Sequence, residues 1–154
     1  MQKAVKITIQ NLQNRIPISA QITRRIKSAI RKALSAHSPA RSGEITLCLI
    51  DDSRIRMLNR KFLGLDMPTD VIAFDLRPQP KGPLAGDIAV STDTACANAR
   101  VFKTDPLREM YLYVIHGVLH LLGWQDNTLR ARARMQKQAD TILEKICPAK
   151  KPKR

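Results

Sequence analysis

The segment "VIHGVLHLLGWQDN", Val114 to Asn127, constrains this chain more than any other. From Met110 to Leu122 the sequence is apolar almost all round a helix, which places that helix in an interior rather than on a surface. Yet it houses His116 and His120. Residues four apart project from one helix face, one turn above the other, so the two imidazoles can offer ring nitrogens to a single metal ion. Asp105-Pro106 supplies the cap and first-turn proline that start the helix, and Gly123 can turn the chain back after Leu122. That turn can bring Asp126 over the histidine face. Two histidines, one carboxylate and an open fourth position describe a catalytic zinc site, one ion per chain, better than a structural one. The competing reading of a histidine pair on an apolar helix is plain core packing. Gly123 and Asp126 at matching offsets tip the balance towards metal, and the same donors also accept nickel, cobalt or iron.

The spacing resembles the metzincin protease pattern H-E-x-x-H-x-x-G-x-x-H, with Asp126 where the last histidine would stand. The glutamate that serves those proteases as general base is absent, because Gly117 occupies its position. A peptidase or amidohydrolase is therefore the weakest of the catalytic readings. No other residue stands out as a general base, since Glu109 lies two turns before His116.

The rest of the chain alternates strand and helix patterns. Val5–Ile9 alternates like a strand, and Ser19–Ala36 carries Ile22, Ile26, Ala29, Ile30 and Ala33 at helical spacing. Glu44–Ile50 reads as a strand, followed by a helix capped by Asp52 or Ser53 and carrying Ile55, Leu58 and Phe62. Val71–Phe74 is a short buried strand, Arg77–Pro83 a loop, and Ala85–Val90 a fourth strand short enough for a sheet edge. Ser91 or Thr92 caps a helix to about Phe102, and a last amphipathic helix spans about Leu129–Ile146. The expectation is one α+β domain over residues 1–148 with a basic tail at 149–154. In it a small four-stranded mixed sheet packs with about five helices, the metzincin-like zinc helix buried centrally.

Charge narrows the partners. The formal net charge is +14, and the tail "KKPKR" contributes only four of those charges, so the folded body is itself strongly basic. Such a surface favours a polyanion. Aromatic residues are 4% of the chain, which argues against extensive base stacking as the mode of recognition. Trp124 can stack on a base, though packing against its turn is the preferred reading. No apolar run reaches the length of a membrane span and no signal pattern opens the chain, so a soluble cytoplasmic protein without membrane attachment is expected. Cys48, Cys96 and Cys147 are odd in number and far apart, and read as reduced and mostly buried.

Three blocks together resemble the YbeY-type endoribonucleases, bacterial ribosomal-RNA maturation factors. His116-Gly117-Val118-Leu119-His120-Leu121-Leu122-Gly123 follows the family's H-G-x-L-H-L-x-G. "LNRKFLGLDMPTDVIAF" (Leu58–Phe74) is similar to its L-N-x-x-Y-R-x-x-D-x-P-T-D-V-L-S-F, and "GDIAVS" (Gly86–Ser91) to its G-D-I-x-I-S strand. The resemblance implies a zinc-dependent, single-strand-directed endoribonuclease that processes the 3′ end of small-subunit rRNA and serves ribosome quality control. Its partners would be rRNA and the ribosome, with no small-molecule cofactor. Two departures stand out. The family's tyrosine-arginine pair is Phe62-Leu63 here, so an arginine expected near the reaction is aliphatic. Its terminal Asp-His is Gln125-Asp126, so the third ligand becomes a carboxylate. Arg60 or Lys61 can replace the arginine as an RNA contact, though solvated charge on a helix face is the preferred reading; Asp70 and Asp87, both in motif blocks, can orient a ligand histidine from behind or simply fix their loops, the structural role being preferred. A non-catalytic rRNA-binding assembly factor is the alternative that Leu63 favours.

Overall fold

The computed structural model describes residues 4–38 and 42–148, and the basic tail at 149–154 lies outside the described residues. The chain runs β1 (Lys6–Asn11), α1 (Ala20–His37), β2 (Gly43–Ile50), α2 (Asp52–Leu63), β3 (Val71–Asp75), β4 (Leu84–Ser91), α3 (Thr92–Phe102), α4 (Pro106–Leu121) and α5 (Leu129–Ile146). The sheet order is β1-β2-β4-β3, with β1, β2 and β4 parallel and β3 antiparallel to β4. The fold is α+β, with five helices on a four-stranded mixed sheet among the described residues.

Side-chain alternation sorts the strands onto two faces. Ile45, Leu47 and Leu49 of β2 and Leu84, Ile88 and Val90 of β4 enter the main core, where α1, α4 and α5 cover them. Cys48, Ile50, Ile72, Phe74 and Ala89 point the other way, towards Ile55 and Leu58 of α2. That second face is only partly covered. It keeps a groove of about 540 Å³ whose lining includes Cys48, Phe62, Phe74 and Asp87.

Three local expectations change. β4 is an interior strand, not an edge: six of its eight residues are buried, because both of its edges are paired and both of its faces carry neighbours. The cap of α2 is Asp51, whose carboxylate accepts from Arg54 N, one residue earlier than expected; Asp52 instead accepts from the Ser91 and Thr94 hydroxyls. The cysteines are free as expected, but each is half-buried rather than buried, Cys48 because it faces the groove. The caps of α1, α3 and α4 are Ser19, Ser91 and Asp105.

Helix α4 is central: ten of its sixteen residues are buried. It can lie this close to the sheet because of Gly117. A Cβ there would sit 2.5 Å from Ile88 Cγ2 and 3.1 Å from Val71 Cγ2. One turn on, Leu121 fills the space that a Cβ on Gly86 would need, at 2.7 Å. Four helical residues rise about 6 Å and two strand residues about 6.6 Å. The pairs Gly117–Ile88 and Leu121–Gly86 therefore interlock α4 against β4 at two successive levels, the helix running against the strand.

Replacing Gly117 with alanine tests this contact. Helix propensity alone would stabilise the variant by about 1 kcal/mol, whereas overpacking costs about 1–3 kcal/mol. Urea denaturation should show a net loss for Gly117→Ala that disappears in an Ile88→Ala background. A stabilised Gly117→Ala protein would contradict the close approach.

Candidate metal centre

The end of α4 presents the chemistry. Gly123 adopts φ +92°, which folds the chain back so that Gly123 N donates to His120 O and Trp124 N donates to Leu119 O, each at 3.0 Å. This reversal puts the Trp124 carbonyl 3.1 Å from His120 Nδ1. A carbonyl only accepts, so Nδ1 carries a proton, and in the neutral ring Nε2 is left with its lone pair. The hydrogen bond thus fixes the tautomer a metal ligand needs.

His120 Nε2 faces Asp126 Oδ2 at 3.6 Å. A lone pair opposite a carboxylate is repelled unless a proton or a cation lies between them. The separation is long for a hydrogen bond. It is close to the distance of about 3.3 Å between two ligands of one tetrahedral zinc. His116 is half-buried as a residue, yet its Nε2 is shut off from solvent and has no hydrogen-bond partner. Burial holds its pKa below the ordinary 6.5, and the neighbouring His120 adds to that depression; Asp70, Asp126 and Asp140 oppose it. The ring is kept neutral, the form that binds a metal.

These donors fit a divalent cation in kind: one orphaned ring nitrogen, one tautomer-fixed ring and a carboxylate beside it. They are not drawn fully together. Among the described residues no three His, Cys, Asp or Glu side chains converge closely enough to make a formed metal cage. Asp126 sits on the exposed turn after α4, and its side chain is 55% exposed.

The other expected residues are dispersed. Asp70 is half-buried at the start of β3, where its carboxylate accepts from Val71 N at 2.7 Å and its carbonyl from Ser91 N. It is the strongest of the acids acting on His116. Asp87 is exposed on β4 and faces the groove on the far side of the sheet, where it raises the pKa of Cys48 secondarily to burial. Leu63 ends α2 with 58% exposure. Arg60 lies beside Arg56 and Asp66, and the Lys61 ammonium sits over the ring of Phe62. Glu109 is buried and accepts from the Thr104 hydroxyl, well down α4 from the histidines.

Some contributors were not visible in the sequence. His37, at the end of α1, packs edge-on against Trp124 with ring centroids 5.1 Å apart, and the Arg134 guanidinium lies 5.7 Å from the same ring. Trp124 therefore braces α1, α4 and α5 together behind the His120 turn. Arg77 pairs with Asp75 and donates to Leu121 O at 3.2 Å, satisfying a carbonyl at the end of α4. Asp140, on α5, adds negative charge near His116. No local spacing announces any of these, because each reaches the site from a separate element.

Residues 8–147 match the model of a family described as endoribonuclease YbeY. The chain belongs to the YbeY family. A relative from Moorella thermoacetica, also described as endoribonuclease YbeY, is 32% identical over 151 residues, covering 90% of this chain and 96% of its own length. Another from Desulforamulus reducens is 31% identical, covering 91% and 96% respectively. The solution structure of a Thermotoga maritima protein shares the fold at a TM-score of 0.62 and 23% identity, covering 92% of this chain and 88% of its own. Within this YbeY chain, Gly117 lies where a Cβ would strike Ile88, so the packing itself leaves no room for a protease-type glutamate.

The orphaned nitrogen predicts a stability cost. In metal-free protein, His116→Leu should be more stable than wild type at neutral pH by about 1 kcal/mol, because an unsatisfied polar atom is removed. Below about pH 6.5 the gap should widen. The unfolded wild type then takes up a proton that the folded ring, with its depressed pKa, resists, so wild-type stability falls while the leucine variant is spared. Denaturant midpoints between pH 5 and 8 check this, and a destabilised leucine variant across that range would contradict it.

Proposed function

We propose that this protein is a zinc-dependent, single-strand-directed endoribonuclease acting in rRNA processing, at the 3′ end of small-subunit rRNA, and in ribosome quality control in the cytoplasm. His116, His120 and Asp126 hold one zinc per chain. The observation that carries the reading is the pairing of an orphaned His116 Nε2 with a tautomer-fixed His120 facing Asp126, in a chain of the YbeY family. Zinc bound there supplies Lewis-acid polarisation of a phosphoryl oxygen or of the attacking water.

The chain's own residues do the rest. The Trp124 carbonyl keeps His120 in register, and Asp70 places negative charge beside His116 from the start of β3, where it would favour a bound cation. Asp126, as an anionic third donor, would make a bound ion less electrophilic than a third imidazole would. The strongly basic body holds the phosphate backbone and makes binding salt-sensitive. Arg60 and Lys61, both exposed at the end of α2, contribute to that hold beside the aliphatic Leu63. No helix among the described residues is long and apolar enough to cross a membrane.

A second reading, a non-catalytic rRNA-binding factor, draws on Leu63 alone. Both are tested by elemental zinc analysis and by cleavage of single-stranded rRNA 3′-end fragments with and without chelator. The expected result is about one zinc per chain in wild type, lost together with cleavage in His116→Ala, His120→Ala and Asp126→Ala. Leu63→Arg should raise cleavage by at least about tenfold, since it adds a cationic group for a transferring phosphate. Zinc bound with intact RNA in both wild type and Leu63→Arg would select the binding factor instead.

A further inference from the structure

Helix α1 carries cations that the candidate site does not use. Its eighteen residues, AQITRRIKSAIRKALSAH, include no acidic side chain. On a helical projection Arg24, Ser28, Arg31 and Ser35 fall within about 60° of one line, with Lys27 and Lys32 flanking it on opposite sides. The structure turns this line into a furrow: Arg24, Lys27, Ser28, Arg31, Lys32 and Ser35 alone line a shallow depression of about 500 Å³. The short serines form gaps between the arginines, and the lysines form the walls. From Arg24 to Ser35, eleven helical steps, the furrow is about 16 Å long.

Its direction is fixed by the buried face of the helix. Ile26, Ala29, Ile30 and Ala33 are fully buried, so the furrow points away from the core. Arg31 also donates to Val5 O at 3.3 Å, which anchors that guanidinium. Among the described residues none of the four cations forms an ion pair; the arginine pairs present involve Arg56, Arg77 and Arg108. Four like charges on three turns of one helix repel one another. The furrow side offers no large apolar side chain, which separates it from helices that insert into a membrane surface. His37 leaves the same helix on the core side to pack against Trp124, so α1 ties the furrow rigidly to the histidine turn.

We infer that the outer furrow of α1, formed by Arg24, Lys27, Arg31 and Lys32 around Ser28 and Ser35, is an RNA backbone-binding exosite that holds substrate away from the metal centre. The cations take consecutive phosphates, and the serine hydroxyls can donate to phosphate oxygens between them. The inference rests on the proposed RNA substrate but not on cleavage or on zinc.

The test is the salt dependence of RNA binding, measured with a fluorescent single-stranded RNA long enough to reach from the histidine turn across α1. Each phosphate contact with a single strand contributes about 0.7 to the slope of log K against log salt. The quadruple variant Arg24→Gln, Lys27→Gln, Arg31→Gln, Lys32→Gln should lower that slope by about 3 and weaken binding at least tenfold at moderate salt. A control set with equal charge loss at exposed positions elsewhere, Lys6→Gln, Arg100→Gln, Lys103→Gln and Lys145→Gln, should change it by less than about 1. Arg24→Lys with Arg31→Lys should keep the wild-type slope. Equal effects of the two glutamine sets would overturn the exosite, since net charge alone would then explain binding. So would unchanged RNA binding by the furrow variant together with lost binding to phosphatidylglycerol vesicles. Because the readout is binding, a protein that binds RNA through the furrow but never cleaves it would sink the nuclease reading and leave the exosite standing.

Discussion

The close approach of α4 to β4 is the contact on which the rest of the molecule depends. Gly117 lets the helix sink until Ile88 occupies the place of its side chain, and Gly86 receives Leu121 one turn further along. This seating carries His116 into the protein, where burial keeps its ring neutral, and leaves His120 near the surface at the helix end. A bulkier residue at 117 would lift the helix from the sheet and separate His116 from Asp70. The same glycine that removes the protease-type base is what positions the histidines.

The site leaves the His116 Nε2 without a hydrogen-bond partner. A buried nitrogen without a partner costs about 1–3 kcal/mol, and the lone pair of His120 opposes a carboxylate. Asp70, Asp126 and Asp140 add negative charge around His116 from three separate segments of the chain. Behind the turn the Trp124 ring lies between His37 and Arg134, and Arg77 donates to Leu121 O.

Much of this was legible in the sequence, and the limits of that legibility are physical. The core helix, its caps and its turn follow from periodicity, Asp105-Pro106 and Gly123, all of which act within a few residues. The i, i+4 histidine pair likewise needs only helical geometry. Strand order does not follow from local pattern: the short apolar stretch Ala85–Val90 suggests an edge, but β4 extends over Leu84–Ser91 and its neighbours on both sides are decided by long-range pairing with Gly43–Ile50 and Val71–Asp75. Asp70 and Asp87 looked equivalent because both sit in motif blocks. Strand alternation separates them, sending Asp87 to the far face of the sheet while Asp70 acts on His116. Contributions from His37, Arg77 and Asp140 arise only when separate elements are packed together.

The central claim is that two imidazoles and a carboxylate hold the metal. X-ray absorption at the zinc edge of the zinc-loaded protein addresses it most directly. The account predicts a nitrogen and oxygen shell at about 2.0–2.1 Å with outer-shell scattering from two imidazoles, and no sulfur. A sulfur shell at about 2.3 Å would place the ion on Cys48, Cys96 or Cys147 instead and contradict the site.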